Sequence, residues 1–254
     1  MKYRSFGLSD TGKIRNSNQD SFLINETEKL FVVADGLGGH VSGDIASEMA
    51  VKGFEEGIIK FRNEEIRWSA QKKNDLTIEQ NRLLATALYC NKKIIFQCKK
   101  NPSLKGMGAA LLGMSLEDDK IVAINIGDCR LYRIRNNTIK QLTKDQTLVA
   151  EENRMGKISD EEARKHPKRH ILSNAIGHIT NYSKIDIVKK RIIEKDIYLI
   201  CSDGLYDMID DDQILNIIRN NIDKTLYQMG ISLIIKANMA GGMDNITVVI
   251  LIFD

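Results

Sequence analysis

Residues 109–142 read AALLGMSL, EDDK, IVAINI, GDC, RLYRI, RNN and TIKQL. Four short runs rich in β-formers, at 109–116, 121–126, 130–134 and 138–142, alternate with breaks. Glu117-Asp118-Asp119 and Asn136-Asn137 are turn signals. Connections this short suit antiparallel neighbours, because a parallel pair needs a crossover of a dozen or more residues. The stretch therefore predicts an antiparallel meander and argues against a doubly wound parallel sheet.

Upstream, residues 30–34 form an apolar run ended by Asp35-Gly36. Ile45, Met49, Gly53, Ile58 and Phe61, with Ala46, Ala50 and Phe54 beside them, recur at helical spacing. Ser42 or Gly43 can cap the start. Leu84, Ala87, Leu88, Ile94, Ile95 and Cys98 mark a second helix, and the charged stretch at 63–81 joins the two. Downstream, residues 144–170 turn polar, with a helical patch near 160–165. A buried strand follows at 197–201, then helices at 211–219 and 222–237, and a final strand from Ile246. Strands and helices in blocks predict an α+β chain with helices covering an antiparallel core.

The chain has 254 residues, 37 basic against 34 acidic, for a net charge of +3. That balance gives no electrostatic argument for nucleic acid. An apolar fraction of 43% and a charged fraction of 28% exclude a disordered chain. No apolar run reaches the roughly 18 residues of a membrane span, and the N-terminal residues lack a signal peptide's apolar stretch. Cys90, Cys98, Cys129 and Cys201 form no C-x-x-C pair. Reduced thiols in a cytoplasm are the simplest expectation. There is no repeat, and Pro102 and Pro167, the two prolines, sit in no linker-like stretch. One domain, 1–254, is expected.

The chemistry is carried by carboxylates. Asp35 and Asp203 each follow an apolar strand and precede glycine. Asp128 follows the run at 121–126, Asp244 opens the terminal strand, and Asp20 precedes Ser21-Phe22-Leu23-Ile24. Any one of these could be a hairpin turn. If the five strand ends converge, their charges repel and must take up protons or cations. Oxygen ligands without His or Cys suit Mg²⁺ or Mn²⁺, and two such ions can activate a water against a phosphoryl group. Glycines at 36, 38 and 39 let backbone approach a metal or anion, although the loop matches neither a P-loop nor a dinucleotide fingerprint. Arg15, five residues before Asp20, offers a guanidinium fork for phosphate.

Five motifs occur in one order: Arg15-Asn16-Ser17-Asn18-Gln19-Asp20, Val33-Ala34-Asp35-Gly36-Leu37-Gly38-Gly39-His40, Ile126-Gly127-Asp128, Cys201-Ser202-Asp203-Gly204-Leu205 and Gly241-Gly242-Met243-Asp244-Asn245-Ile246-Thr247. In this the chain resembles the metal-dependent protein phosphatases of the 2C type, in their bacterial single-domain form. The resemblance runs from about Tyr3 to Phe253. It implies a four-layer α-β-β-α sandwich, two antiparallel sheets flanked by helices, with a flap at about 144–170. It implies hydrolysis of phosphoserine and phosphothreonine in proteins by attack of a hydroxide that bridges two metals. By motif, Asp35 would bridge the ions and the Gly36 carbonyl would bind the second. Asp203 and Asp244 would complete the first, and Asp20 would act through metal-bound water. Asp128 with Asp203 would hold a third ion, and Arg15 would bind the substrate phosphate. Two to three Mn²⁺ or Mg²⁺ ions, phosphoprotein substrates and an opposing serine/threonine kinase follow from the same resemblance, and a monomer suffices. The alternatives are a pseudophosphatase that binds phosphoproteins and a metal-dependent phosphoesterase acting on small molecules.

Departures from the family pattern stand out. Met107-Gly108-Ala109-Ala110 replaces Met-Gly-Thr-Thr, removing two hydroxyls. Cys129 replaces Ser, Gln146 replaces His, and Gln19 stands where many relatives have Glu. His40 either fixes the Gly-rich loop, the favoured reading, or donates a proton to the leaving serine oxygen. A carboxylate beside Cys129 raises its thiol pKa and opposes redox reactivity. The basic run at 164–170 reads as a solvated face or as a guide for acidic phosphopeptides.

Overall fold

A computed structural model describes residues 1–37, 42–63, 73–179 and 184–254. In chain order the elements are β1 (Tyr3–Asp10), β2 (Asp20–Asn25), β3 (Leu30–Leu37), α1 (Gly43–Asn63), α2 (Ile78–Lys100), β4 (Gly108–Glu117), β5 (Lys120–Ile126), β6 (Arg130–Arg135), β7 (Thr138–Gln141), α3 (Leu148–Arg154), α4 (Asp160–Lys165), β8 (Asp186–Arg191), β9 (Ile197–Cys201), α5 (Asp203–Tyr206), α6 (Asp211–Asn220), α7 (Leu226–Met239) and β10 (Ile246–Phe253).

They form two five-stranded sheets. Sheet one has the order β1-β10-β9-β6-β7 and sheet two the order β2-β3-β4-β5-β8. Every strand pair is antiparallel. The expected meander is present with one change. β4 pairs with β5, and β6 with β7, but β5 and β6 lie in different sheets. The chain crosses between sheets at residues 127–129, where Gly127 takes φ +108°. An L side chain rarely adopts that backbone conformation.

Three apolar layers hold the sandwich. Ala46, Ala50, Phe54 and Ile58 of α1 and Leu83, Leu84, Ala87 and Ile94 of α2 pack on Leu30, Val32, Leu111, Val122 and Ile124 of sheet two. On the far side, Ile214 and Ile218 of α6 and Met229, Leu233 and Ala237 of α7 pack on Leu199, Cys201, Val248 and Ile250 of sheet one. Between the sheets lie Phe31, Val33, Leu112, Met114, Leu131, Tyr198, Ile200, Val249 and Leu251. Alternate residues of one strand thus feed two different cores, the period-two rule in action. This is the four-layer α-β-β-α architecture.

Local signals set the helix starts. Thr77, Ser159, Asp210 and Thr225 close reciprocal capping boxes with Gln80, Glu162, Gln213 and Gln228. The last helix accordingly begins at Leu226 rather than 222, and Ile222 is exposed. The second helix begins at Ile78, inside the stretch expected to be a joining segment.

Phe54 is fully buried between α1 and sheet two. Phe54→Ala should cost about 3–5 kcal/mol. Urea unfolding followed by circular dichroism should show a lower midpoint with an unchanged slope.

Candidate active site

On β3, Phe31 and Val33 face the core between the sheets, and Asp35 continues that face. Asp20 on β2 is its register partner on one side and Ala110 on β4 its partner on the other. Across the sandwich, Ile200 and Val249 face inward, so Ser202 and Thr247 continue those faces, with Ser9 of β1 paired to Thr247. Both sheets therefore end in a polar row.

The rows are bonded to each other. Asp20 Oδ2 accepts from Ser202 Oγ and from Thr247 Oγ1, each at 2.7 Å. Because Thr247 spends its proton on Asp20, its 2.7 Å contact with Ser9 makes Ser9 Oγ the donor there. Ser9 in turn accepts from Asn18 Nδ2 at 2.7 Å, and Asn18 Oδ1 accepts from the Asp20 N–H at 3.1 Å. Ser202 Oγ also accepts from the Thr247 N–H at 3.0 Å. Burial pushes the Asp20 carboxyl up to about 7, against the pull of the two hydroxyls and with the push of Asp203 and Asp244.

The other sequence-predicted residues surround this row. Asp128 lies on the sheet-to-sheet crossover and is buried. Asp203 opens α5, directly after Ser202, which follows β9. Asp244 follows Gly241 and Gly242 and bonds Arg15 Nη2 at 2.7 Å. That ion pair raises the Arg15 pKa further and brings the predicted phosphate group and a predicted ligand together. Gly36 has no room for a side chain, since a Cβ there would fall 1.9 Å from the Gly43 carbonyl oxygen. Asn245 holds the Arg15 loop: its Oδ1 accepts from Gln19 N at 2.8 Å, and its Nδ2 donates to the carbonyls of Thr11 and Ser17 at 2.8 and 3.0 Å.

Asp35 shows how closely these groups gather. Burial raises its pKa well above the carboxylate range, and the charges of Asp20, Asp203, Asp128 and Asp244 push it further the same way. Asp128 is raised by burial and then by Asp203. Such a set favours protons or cations over bare charge. Asp20 Oδ1 and Asp203 Oδ1 are buried with no hydrogen-bond partner. Orphaned carboxylate oxygens in an all-oxygen set fit a hard divalent cation.

Among the described residues, the ligand atoms that come within 4.8 Å of one another belong to His170, Asp203 and Asp207. Of the predicted aspartates, only Asp203 belongs to that group. His170 Nδ1 lies 3.4 Å from Asp207 Oδ2 and 3.7 Å from Asp203 Oδ2. Sequence reading placed His170 only in a basic run and did not single out Asp207. The i, i+4 spacing of Asp203 and Asp207 was the available signal. Ser202 and Thr247 stood in the quoted motifs without a role. His40, with Gly38 and Gly39, lies outside the described residues. Cys129 is buried, and burial followed by the Asp128 charge raises its thiol pKa well above the ordinary value, as expected.

A family model described as "Protein phosphatase 2C" matches residues 13–228. The chain is 35% identical over 249 residues to the serine/threonine phosphatase stp of Listeria monocytogenes serotype 4b (strain F2365), covering 95% of this chain and 92% of that protein. The S. agalactiae serine/threonine phosphatase superposes with a TM-score of 0.86 at 30% identity over the full length of both chains. The catalytic domain of the phosphatase PstP, in complex with two manganese ions, gives a TM-score of 0.78 at 29% identity over 99% of both. The chain belongs to the protein phosphatase 2C family.

Asp20 is held at about 7 when folded, against an ordinary 3.8, and Asp35 and Asp128 are displaced upward too. Their protonation favours the folded chain, so this contribution grows as pH falls below 7 and is lost as pH rises through it. The metal-free protein should therefore melt higher at about pH 5.5 than at about pH 7.5. Mn²⁺ should raise the melting temperature more at the higher pH, where it competes with fewer protons. Equal Mn²⁺ shifts at both pH values in calorimetry would contradict this electrostatic account.

Proposed function

We propose that this chain hydrolyses phosphoserine and phosphothreonine in phosphorylated proteins, with residues 1–254 acting as one catalytic domain. The observation that carries the reading is the set of mutually repelling aspartates at the end of the sandwich, with Asp20 and Asp128 buried and orphaned oxygens on Asp20 and Asp203. Asp35, Asp203, Asp244 and the Gly36 carbonyl would hold two Mn²⁺ or Mg²⁺ ions. Asp128 with Asp203 would hold a third, and Asp20 would orient water beside them. When bound, the ions lower the pKa of a water and offset phosphoryl charge.

The protein's own groups do the rest. Ser202 and Thr247 fix one Asp20 oxygen, which leaves the other directed by geometry instead of by rotation. Arg15 is exposed at the rim and can leave Asp244 for a phosphate, which its planar fork grips through two oxygens. Residues at about 144–170, carrying α3 and α4, would form a flap beside the site. Arg164, Lys165, Lys168 and Arg169 are exposed there and would draw in acidic phosphopeptides. His40 would fix the Gly-rich loop or supply the leaving-group proton. No described helix is long and apolar enough to cross a membrane. A cytoplasmic monomer that opposes a serine/threonine kinase, without nucleic acid, completes the proposal.

Phosphate release from a phosphothreonine peptide should require Mn²⁺ or Mg²⁺ and stop with EDTA. Asp35→Asn and Asp203→Asn should each lower it by about 100-fold or more while the protein stays folded. Wild-type rates in either variant would remove the ligand assignment, and release of nucleotide or sugar phosphates alone would favour a small-molecule phosphoesterase.

Charge reversal at Arg164, Lys165, Lys168 and Arg169 should raise KM on phosphopeptides and leave hydrolysis of a small aryl phosphate unchanged. An equal response of both substrates would rule out steering by the flap.

A further inference from the structure

The crossover that carries Asp128 is held by two side chains with no assigned role. Gln146 is buried. Its Oε1 accepts from the Gly127 N–H at 3.2 Å and from Asn174 Nδ2 at 2.9 Å. Its Nε2 donates to the Asn125 carbonyl at 2.9 Å. Its own N–H donates to the Gly127 carbonyl at 2.9 Å, and its carbonyl accepts from Ser173 N at 2.8 Å. One residue therefore fixes both backbone groups of Gly127 and links them to residues 173–174.

The far side of the turn is held as firmly. Tyr206 Oη donates to the Asp128 carbonyl at 2.9 Å. The Arg130 guanidinium lies 3.5 Å from the centroid of the Tyr206 ring and forks onto Asp145. The ring is thus clamped by a cation–π contact that is itself anchored by an ion pair. Asp145 is the neighbour of Gln146, and its carbonyl accepts from Arg154 of α3 at 2.8 Å.

We propose that Gln146 and Tyr206 are positioning residues that set the Asp128 carboxylate, through the backbone of Gly127 and Asp128, for the ion that Asp128 binds. The physical need is specific. Gly127 sits at φ +108°, where glycine has more freedom than any other residue. A ligand on so permissive a turn is placed only if the turn is pinned from outside. Gln146 reaches the N–H and carbonyl of Gly127, and Tyr206 reaches the next carbonyl. Because Gln146 itself lies in the proposed flap, beside Asp145, whose carbonyl is held by Arg154 of α3, the same pin ties Asp128 to the flap. This inference rests on the proposed metal-binding role of Asp128.

The test is Mn²⁺ binding to the full chain, by titration calorimetry and by electron paramagnetic resonance of free Mn²⁺. It compares the wild type, Asp128→Asn, Gln146→Met and Tyr206→Phe. Asp128→Asn should remove one class of bound ion. Tyr206→Phe and Gln146→Met should each weaken that same class by roughly 10-fold or more, and leave the remaining ions within about twofold. Tyr206→Phe keeps the ring and loses one hydroxyl, so it reports even if Gln146→Met fails to fold. A purely structural role would lower the melting temperature and leave the Mn²⁺ isotherm unchanged, which overturns the proposal. If Asp128→Asn removes an ion class and Tyr206→Phe does not weaken it, the positioning role falls and the ligand assignment stands. If Asp128→Asn leaves Mn²⁺ binding as in wild type, both fall.

Discussion

The Asp20 carboxylate belongs to sheet two, and both hydroxyls that bond its Oδ2, on Ser202 and Thr247, belong to sheet one. The core between the sheets is built of apolar side chains such as Phe31, Leu112, Ile200 and Val249, which fix separation but not register. A carboxylate bonded at 2.7 Å by two hydroxyls is directional and short-ranged. It brings the ends of β2, β9 and β10 into one fixed relation. Asp35 inherits its place as the register partner of Asp20, and Asp203 as the residue after Ser202. The gathering of negative charge that would drive an unsupported site apart is thus tolerated because one of its members is tied across the sandwich.

That arrangement explains which parts were legible in the sequence. Strands β3, β5, β9 and β10 feed cores on both faces, so they read as continuous apolar runs, and the aspartates at their ends were conspicuous. β1 and β8 were not anticipated. The inner face of β1 is Tyr3, Ser5, Gly7 and Ser9, which breaks the alternation where the strand approaches the polar row. β8 is an edge strand of sheet two, and Lys189, Lys190 and Arg191 charge it in the way exposed edges commonly are. The split of the meander between two sheets was hidden for a different reason. A three-residue connection looks like a tight turn in sequence, and only the φ of Gly127 and the bonds of Gln146 show that it turns away from its neighbour. His170 was missed because nothing in the spacing of residues 170 and 203 reveals that they meet, whereas Asp207 had only its i, i+4 spacing from Asp203 to mark it.

Ala109-Ala110 in place of Thr-Thr removes two hydroxyls, and the packing shows what occupies their place. Ala109 faces α1 and α2, in one core with Ile176, whose backbone bonds its own in both directions. Ala110 faces the inter-sheet core beside Asp35. A Cβ on Gly127 would fall 2.5 Å from the Cβ of Ala110, so β4 and the Asp128 crossover approach as closely as small side chains permit. A hydroxyl at 110 would have to share that contact. The carboxylate row of sheet two meanwhile obtains its hydroxyls from the facing sheet, through Ser202 and Thr247, with Ser9 behind them. The loss of two hydroxyls from β4 therefore leaves the bonded carboxylate intact. The same view accounts for Gln146: an amide there offers one acceptor and two donors at its tip, and the crossover and the Asn174 segment occupy its oxygen twice and its nitrogen once. Ala109 and Ala110 are accommodated by packing against the cores on either side of β4, and Gln146 by hydrogen bonds to the crossover and the Asn174 segment.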